Sequence, residues 1–451
     1  MEKEGRIEIF ESYEPKKAVL KMSLPIVFGM MIQILYSMVD IYFIGKLNDP
    51  NQMAAANISM PIFMVTMALA SIVGVGASSE LARALGKKDE EKTRSILGTG
   101  FVLSFIIGLI YSILVYGLKD KIALLLGANN QLTADYTRDY ISILGMGSLA
   151  VIFNYVLGQM LRSESDVKTS VIGMTIGIIA NIILDPIFIL SFNMQVKGAA
   201  IATILGNLLS FIYYMYKYLA KKTFVRLDKD YVKLDKEISI AILKIGIPAS
   251  LNQLLISLAM TISNNIAKGY GVATLAAMGI VSKIMSIGTF IYIGFAAGSQ
   301  PIVGYNFGAE NMPRLREILK TTYRIVIAIG LLLFLAFQVF PASIVGFLIK
   351  DPEVIEIGSF ILRRVSISLL FVGSQMVSAS AIQAMGKAKA SLFLSVARQG
   401  ILFIPLIYIL NSIFGFNGFV FAQPLADGIM IFITIGILLR ILNKTERELE
   451  A

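Results

Sequence analysis

Runs of about twenty apolar residues recur along the whole chain, and they restrict the fold more than any other feature. A helix of that length crosses the hydrocarbon core of a bilayer, which is about 30 Å thick. The chain has 451 residues, of which 56% are hydrophobic and only 16% are charged. A transmembrane β-barrel would show short alternating segments instead of continuous runs. The sequence therefore predicts an all-α integral membrane protein.

The apolar runs predict twelve transmembrane helices. No polar stretch between them is long enough to form a soluble domain with its own core. We place the spans at residues 20–44, 57–80, 96–118, 140–161, 169–192, 199–219, 240–267, 272–300, 321–345, 358–382, 390–412 and 416–439.

The distribution of Lys and Arg predicts the topology. With the N-terminus placed inside, the inner segments hold 29 of the 40 basic residues and the outer loops hold 7. Basic residues are enriched in cytoplasmic loops, so both termini are expected in the cytoplasm. The protein itself is expected to span the cell membrane and to contact its lipids. The net charge of +10 is then explained by topology, and a nucleic-acid partner is not expected.

The sequence repeats itself once. The segment LKMSLP at 20–25 recurs as LKIGIP at 243–248, and Arg94-x-Ile-Leu recurs from Arg316. Each copy holds six spans and starts inside, which predicts two lobes related by a pseudo-twofold axis along the membrane normal. The predicted parts are an N-lobe (1–220), a cytoplasmic inter-lobe loop (221–239) and a C-lobe (240–451).

Missing residue types exclude several kinds of chemistry. The chain has no Cys and no His, so thiolate metal sites, disulfides and His-based triads are ruled out. The segment GKKDEEK at 86–92 lacks the spacing of a phosphate-binding loop, so ATP-driven pumping is unsupported. We expect neither an enzyme nor a cofactor, and any proton chemistry falls to carboxylates.

Two acidic residues lie at one depth in the predicted N-lobe. Asp40 follows the inner end of its span by about twenty residues and Asp185 by about sixteen, so both lie roughly 24–30 Å from the inner ends of their spans. Asn181 lies one turn inward from Asp185, and Thr203 lies near the outer end of span 6. These oxygen ligands suit a hard cation such as Na⁺. The acids could instead bind a proton, since burial disfavours the charged form. The alternative is that both acids only bond neighbouring helices.

Charged residues in the C-lobe spans allow two interpretations. Asp427 could pair with Arg398 as a structural ion pair, or the two could face a cavity. Lys283 could extend its amine toward the interface or line the cavity.

Three motifs carry a resemblance over nearly the whole chain. They are MVDIYFIG (38–45), NIILDPIFI (181–189) and VKGAAIATILGN (196–207). With them, the chain resembles the multidrug and toxic compound extrusion (MATE) transporters, and most closely their DinF-like and MepA-like prokaryotic branch. The resemblance implies a monomeric secondary antiporter that exports lipophilic, often cationic compounds in exchange for H⁺ or Na⁺.

The resemblance also implies roles for individual residues. The residues implied for the cation or proton site are Asp40, Asn181, Asp185 and Thr203. Those implied for the adjoining substrate cavity are Gln33, Tyr36, Asn154 and Met174. Pro25 matches the proline that bends span 1. Span 7 has no acid within 246–260, which departs from family members with a C-lobe cation site and favours the N-lobe here.

Three rival functions are weaker. A flippase for a lipid-linked precursor, from the same wider superfamily, would need a basic cavity, to which Lys283 and Arg398 could contribute. A membrane sensor would need a signalling domain. A membrane enzyme would need a nucleophile or a metal cluster.

Overall fold

A computed structural model describes residues 4–47, 49–127 and 131–450, apart from the side chains of residues 4–6, 35–38, 40–42, 44 and 45. These residues are helical almost throughout, and they contain no β-strand. The predicted all-α fold is thereby confirmed.

The helices of the first half include one that ends in a π-helical turn. In chain order they are α1 (Glu4–Glu11), α2 (Pro15–Gly45), α3 (Pro50–Gly86), α4 (Glu90–Gly117), α5 (Lys119–Leu125), α6 (Gln131–Ser163), α7 (Val167–Pro186) with its π-helical turn (Ile187–Ser191), and α8 (Gln195–Leu219).

The second half follows a short 3₁₀ turn at Lys229–Tyr231. Its helices are α9 (Lys236–Gly269), α10 (Val272–Gly308), α11 (Met312–Val339), α12 (Pro341–Leu348), α13 (Pro352–Val365), α14 (Leu369–Ala384), α15 (Ala388–Val396) and α16 (Ile404–Glu450).

Within the described residues, eleven segments are long and apolar enough to cross a membrane. The last of them, Ala388–Glu450, contains both predicted spans 390–412 and 416–439. Gly415 separates these two with a φ of 56°, a left-handed conformation that glycine adopts without steric cost. The predicted span 321–345 was wrong at its C-terminal end, because α11 stops at Val339 and a new helix begins at Pro341.

Contacts divide the chain into two compact units. Unit 1 comprises the segment up to Glu11 and Phe28–Ser250, and unit 2 comprises Ser12–Val27 and the chain from Leu251 onward. The units differ from the predicted lobes in two places, because the N-terminal half of α2 packs in unit 2 and the N-terminal half of α9 packs in unit 1. The lobe boundaries themselves stay a prediction.

In unit 1, the N-terminal half of α9 lies directly on α3. A Cβ added at Gly246 would lie 1.7 Å from the carbonyl oxygen of Ile72, and one added at Gly76 would lie 2.1 Å from that of Ile242. Only glycine permits such an approach of two backbones, and small residues are the usual contact between membrane helices.

Unit 2 contains the equivalent contact between α2 and α10. A Cβ added at Gly298 would lie 2.3 Å from Ser23 Oγ, and one added at Gly294 would lie 2.4 Å from Val27 Cγ2. Gly298 follows Gly76 by 222 residues, which is the shift of the sequence repeat. The two halves of the chain thus form the same helix contact.

The predicted inter-lobe loop is held against unit 1. A Cβ at Gly98 would lie 1.9 Å from the carbonyl oxygen of Tyr231. The hydroxyl of Thr99 donates to the Lys233 carbonyl oxygen at 3.2 Å. The buried Glu164 carboxylate accepts hydrogen bonds from Val225 N at 3.0 Å and from the Tyr218 hydroxyl at 2.8 Å. These contacts fix the loop before α9 begins.

Candidate ion-coupling site

Two glycines bring α7 and α8 into close contact in unit 1. A Cβ at Gly206 would lie 2.6 Å from the carbonyl oxygen of Gly177 and 3.3 Å from Asn181 Cβ. A Cβ at Gly177 would lie 2.2 Å from Ser210 Oγ. The absence of both side chains sets Asn181 directly against α8, where Thr203 lies.

Three of the four predicted ion-site residues lie in this region. Asp185 is 0% exposed and Asn181 is 3% exposed, one helical turn apart on α7. Asn181 Nδ2 donates to Thr203 Oγ1 at 3.3 Å, and that hydroxyl donates to the Ala199 carbonyl oxygen at 3.0 Å. Within the described residues, the buried Oδ1 of Asn181 has no hydrogen-bond partner. Such an oxygen suits a bound cation or a proton donor.

The helix changes its winding immediately after Asp185. Pro186 ends α7 and lacks a backbone N–H, and a π-helical turn follows at Ile187–Ser191. Turns of this kind are rare in proteins, and those that occur are frequently found at functional sites. The carboxylate therefore lies at an irregular point of the span, in agreement with a binding role.

A chain of amides extends from Thr203 toward α6. Asn207 Nδ2 donates to the Thr203 carbonyl oxygen at 2.8 Å, and Asn154 Nδ2 donates to Asn207 Oδ1 at 2.7 Å. Asn154 was a predicted cavity residue, whereas Asn207 was missed. Asn207 could have been predicted from the sequence, because it follows Thr203 by four residues and therefore lies on the same helix face.

The remaining predicted residues lie on α2 and α7. Met174 is half-buried and packs against α2. A Cβ added at Gly29 of α2 would lie only 2.0 Å from Met174 Cε, so the methionine occupies the space that the glycine leaves. Gln33 is half-buried on α2. The side chains of Tyr36 and Asp40 lie outside the described residues, so their predicted roles stay predictions.

Pro25 lies inside the continuous helix α2, two residues before that helix passes from unit 2 into unit 1. Pro248 has the same relation to α9, which changes unit after Ser250. The predicted hinge thus coincides with a boundary of packing, and its bending stays a prediction.

In unit 2, Arg398 and Asp427 form an ion pair. Arg398 Nε lies 2.9 Å from Asp427 Oδ1, and Gln423 Nε2 donates to Oδ2 at 3.0 Å. Gln375 donates to the backbone carbonyl of Asp427. Asp427 is 0% exposed, and Arg398 lies on a π-helical turn, Ala397–Phe403. This geometry favours the structural interpretation, because Arg398 already neutralises the carboxylate. Lys283 is exposed on α10.

Comparison with known proteins agrees with the fold and the repeat. The MatE family model matches the chain twice, at residues 25–187 and 248–409. The chain is 28% identical over 427 residues to the multidrug export protein MepA of Staphylococcus saprophyticus, covering 95% of this chain and 94% of MepA. It is 30% identical over 442 residues to MepA of Staphylococcus haemolyticus, covering 98% and 97%.

A solved structure has the same fold. It is the outward-facing structure of a multidrug resistance MATE family transporter of the MOP superfamily, with a TM-score of 0.92, 26% identity and 98% of each chain covered. This chain therefore belongs to the MatE family of membrane transporters. The two family matches begin 223 residues apart, at 25 and 248, which is the shift found in the sequence.

Proposed function

We propose that this protein is a secondary antiporter that exports lipophilic, often cationic compounds in exchange for H⁺ or Na⁺. The names of the MepA relatives support multidrug export. The observation that carries the coupling is the site on α7, where the fully buried Asp185 lies one turn from Asn181, whose side-chain amide donates to Thr203 of α8. A buried acid in a membrane helix is costly, and it is most often retained for ion or proton transport.

Exchange by alternating access requires only that ion and substrate favour opposite states of the transporter. An ion or proton entering from outside would bind Asp185 together with Asp40. The change would reach the inner half of α2 through the helix bend at Pro25. That half packs in unit 2, whereas the acids lie in unit 1, so bending at Pro25 would act on both units.

The direct test is efflux of a fluorescent organic cation from proteoliposomes under separate Na⁺ and pH gradients. We expect one of the two gradients to drive efflux, and several structurally unrelated cations to be exported. If neither gradient drives export of any cation, the antiport proposal fails.

Deletion of the protein in cells addresses the flippase alternative. A flippase for a lipid-linked pyrophosphate would need unpaired basic groups, and Arg398 is held by Asp427 at 2.9 Å. If loss of the protein makes lipid-linked sugar precursors accumulate and leaves resistance to cations unchanged, the flippase function is the correct one.

The predicted cytoplasmic position of the loop between α8 and α9 can be tested directly. The chain has no cysteine, so single cysteines can be introduced without background. We expect Asp230→Cys, at an exposed loop position, to resist an impermeant thiol reagent added to intact cells. Val272→Cys, at the 86% exposed start of α10, should react and serves as the control. Labelling of position 230 from outside would contradict the predicted topology, because it would place this loop outside the cell.

A further inference from the structure

The outer half of α9 presents a polar face in the middle of a membrane span. Gln253, Ser257, Thr261 and Asn264 are all exposed, and they follow one another at intervals of four, four and three residues. Such spacing places them on one side of a helix, within a sector of about 80°. We call these four residues the α9 polar face. It extends over about 16 Å along the helix.

The polar face makes few hydrogen bonds of its own. The Thr261 hydroxyl donates to the Ser257 carbonyl oxygen at 3.0 Å. Within the described residues, the structure gives the side-chain amides of Gln253 and Asn264 no partner. An amide without a partner in hydrocarbon costs several kcal/mol, so a face with two of them is unsuited to lipid. These side chains must therefore meet water or another polar group.

The internal repeat shows that this face is specific to span 7. The residues 223 positions earlier in span 1 are Met30, Ile34, Met38 and Ile41. All four are apolar, although the two spans share the LK-x-x-x-P start and the same family match. The polar residues of α9 thus do not come from the pattern that the two helices have in common.

We propose that the α9 polar face is a water-exposed wall of the export path that binds hydrogen-bonding groups of the substrate. The inference rests on the proposed export function. Amides and hydroxyls are neutral, and they both donate and accept hydrogen bonds. The polar face can therefore bind amino, hydroxyl, amide or carboxyl groups of a substrate. It adds little to the binding of a cation that has no hydrogen-bonding group. The face therefore selects substrates by their polar groups, whereas Asp185 binds the coupling ion or proton.

Water exposure is tested without any transport measurement. Cysteines placed singly at 253, 257, 261 and 264 are treated with a water-soluble methanethiosulfonate in the purified protein. Leu332→Cys, at a 66% exposed apolar position of α11, is the control. We expect the four positions to react at least about tenfold faster than position 332, because the reactive thiolate forms only in contact with water. Rates as slow as that of the control at all four positions would overturn the proposal, whether lipid or a second copy covers the face.

Substrate recognition is tested with two permanent cations. Ethidium carries aromatic amino groups, and tetraphenylphosphonium carries no hydrogen-bonding group. We expect the double variant Gln253→Leu with Asn264→Leu to lose ethidium efflux by about tenfold, the size of effect that two lost hydrogen bonds produce. Tetraphenylphosphonium efflux should change less than about twofold, since it makes none of these bonds.

The matched control changes apolar residues of the same helix, Leu254→Ala with Leu258→Ala, which should not separate the two cations. An equal loss for both cations in the polar-face variant would contradict the recognition role. If the parent protein exports neither cation, the proposed function fails, while the labelling rates still decide whether the face is wet.

Discussion

Asp185→Asn is expected to reduce ion-driven efflux to the level of protein-free liposomes, while the protein still inserts into the membrane. The substitution keeps the shape of the side chain and removes its charge and its titratable proton. Asp185 is 0% exposed on α7, and a neutral amide is cheaper to bury there than a carboxylate. Loss of transport without loss of folded protein would thus identify the charge as the functional property. Efflux in proteoliposomes at matched protein level is the measurement.

Variants around Asp185 make the result specific. Asp40→Asn should have the same effect, by the sequence prediction. Asn181→Ala and Thr203→Ala should weaken ion dependence less, because each removes one neutral ligand. Asp120→Asn, which changes a carboxylate that is 65% exposed, should behave like the parent. If Asp185→Asn and Asp40→Asn both transport normally, the coupling site is elsewhere.

Removing Arg398 from the Arg398–Asp427 pair is expected to lower the free energy of unfolding by about 3–5 kcal/mol, because it leaves the buried Asp427 carboxylate without its partner. Removing Asp427 should cost less, since the Arg398 side chain is 16% exposed. Arg398→Met and Asp427→Leu are the single variants. The double variant should recover most of the stability, since an apolar pair carries no buried charge. Thermal denaturation in detergent, followed by fluorescence, provides the comparison.

An exposed ion pair gives the control for this experiment. Lys444 and Glu448 lie 3.5 Å apart with side chains 75% and 58% exposed. Glu448→Gln should change stability by less than about 1 kcal/mol, as is usual for surface pairs. If the single variants of Arg398 and Asp427 are as stable as the parent but lose transport, the cavity interpretation of this pair is favoured instead.

The sequence predicted most of the fold because membrane spans are determined by length and polarity. The repeat was visible because LKMSLP and LKIGIP stand at the same place in each half. On the site, the spacing of Asn181 and Asp185 was enough to place them on one helix face.

The rest of the site depends on how closely helices approach, which the sequence does not state. Gly177 and Gly206 set the contact that brings Asn181 to Thr203, and neither glycine was selected beforehand. Asn207 joins the site only because α8 presents it toward Asn154. The π-helical turns after Pro186 and around Arg398 also depend on tertiary packing, since local preference alone favours an α-helix.

The packing of the N-terminal halves of α2 and α9 has a consequence for how the chain folds. Neither half of the gene encodes a self-contained packing unit, because each unit includes part of a helix from the opposite half. Two identical six-helix proteins that exchanged their first half-helices would form a domain-swapped dimer. The present chain has the connectivity of such a dimer with its two copies joined end to end. Cutting the chain in the inter-lobe loop would accordingly yield fragments that must associate in order to fold.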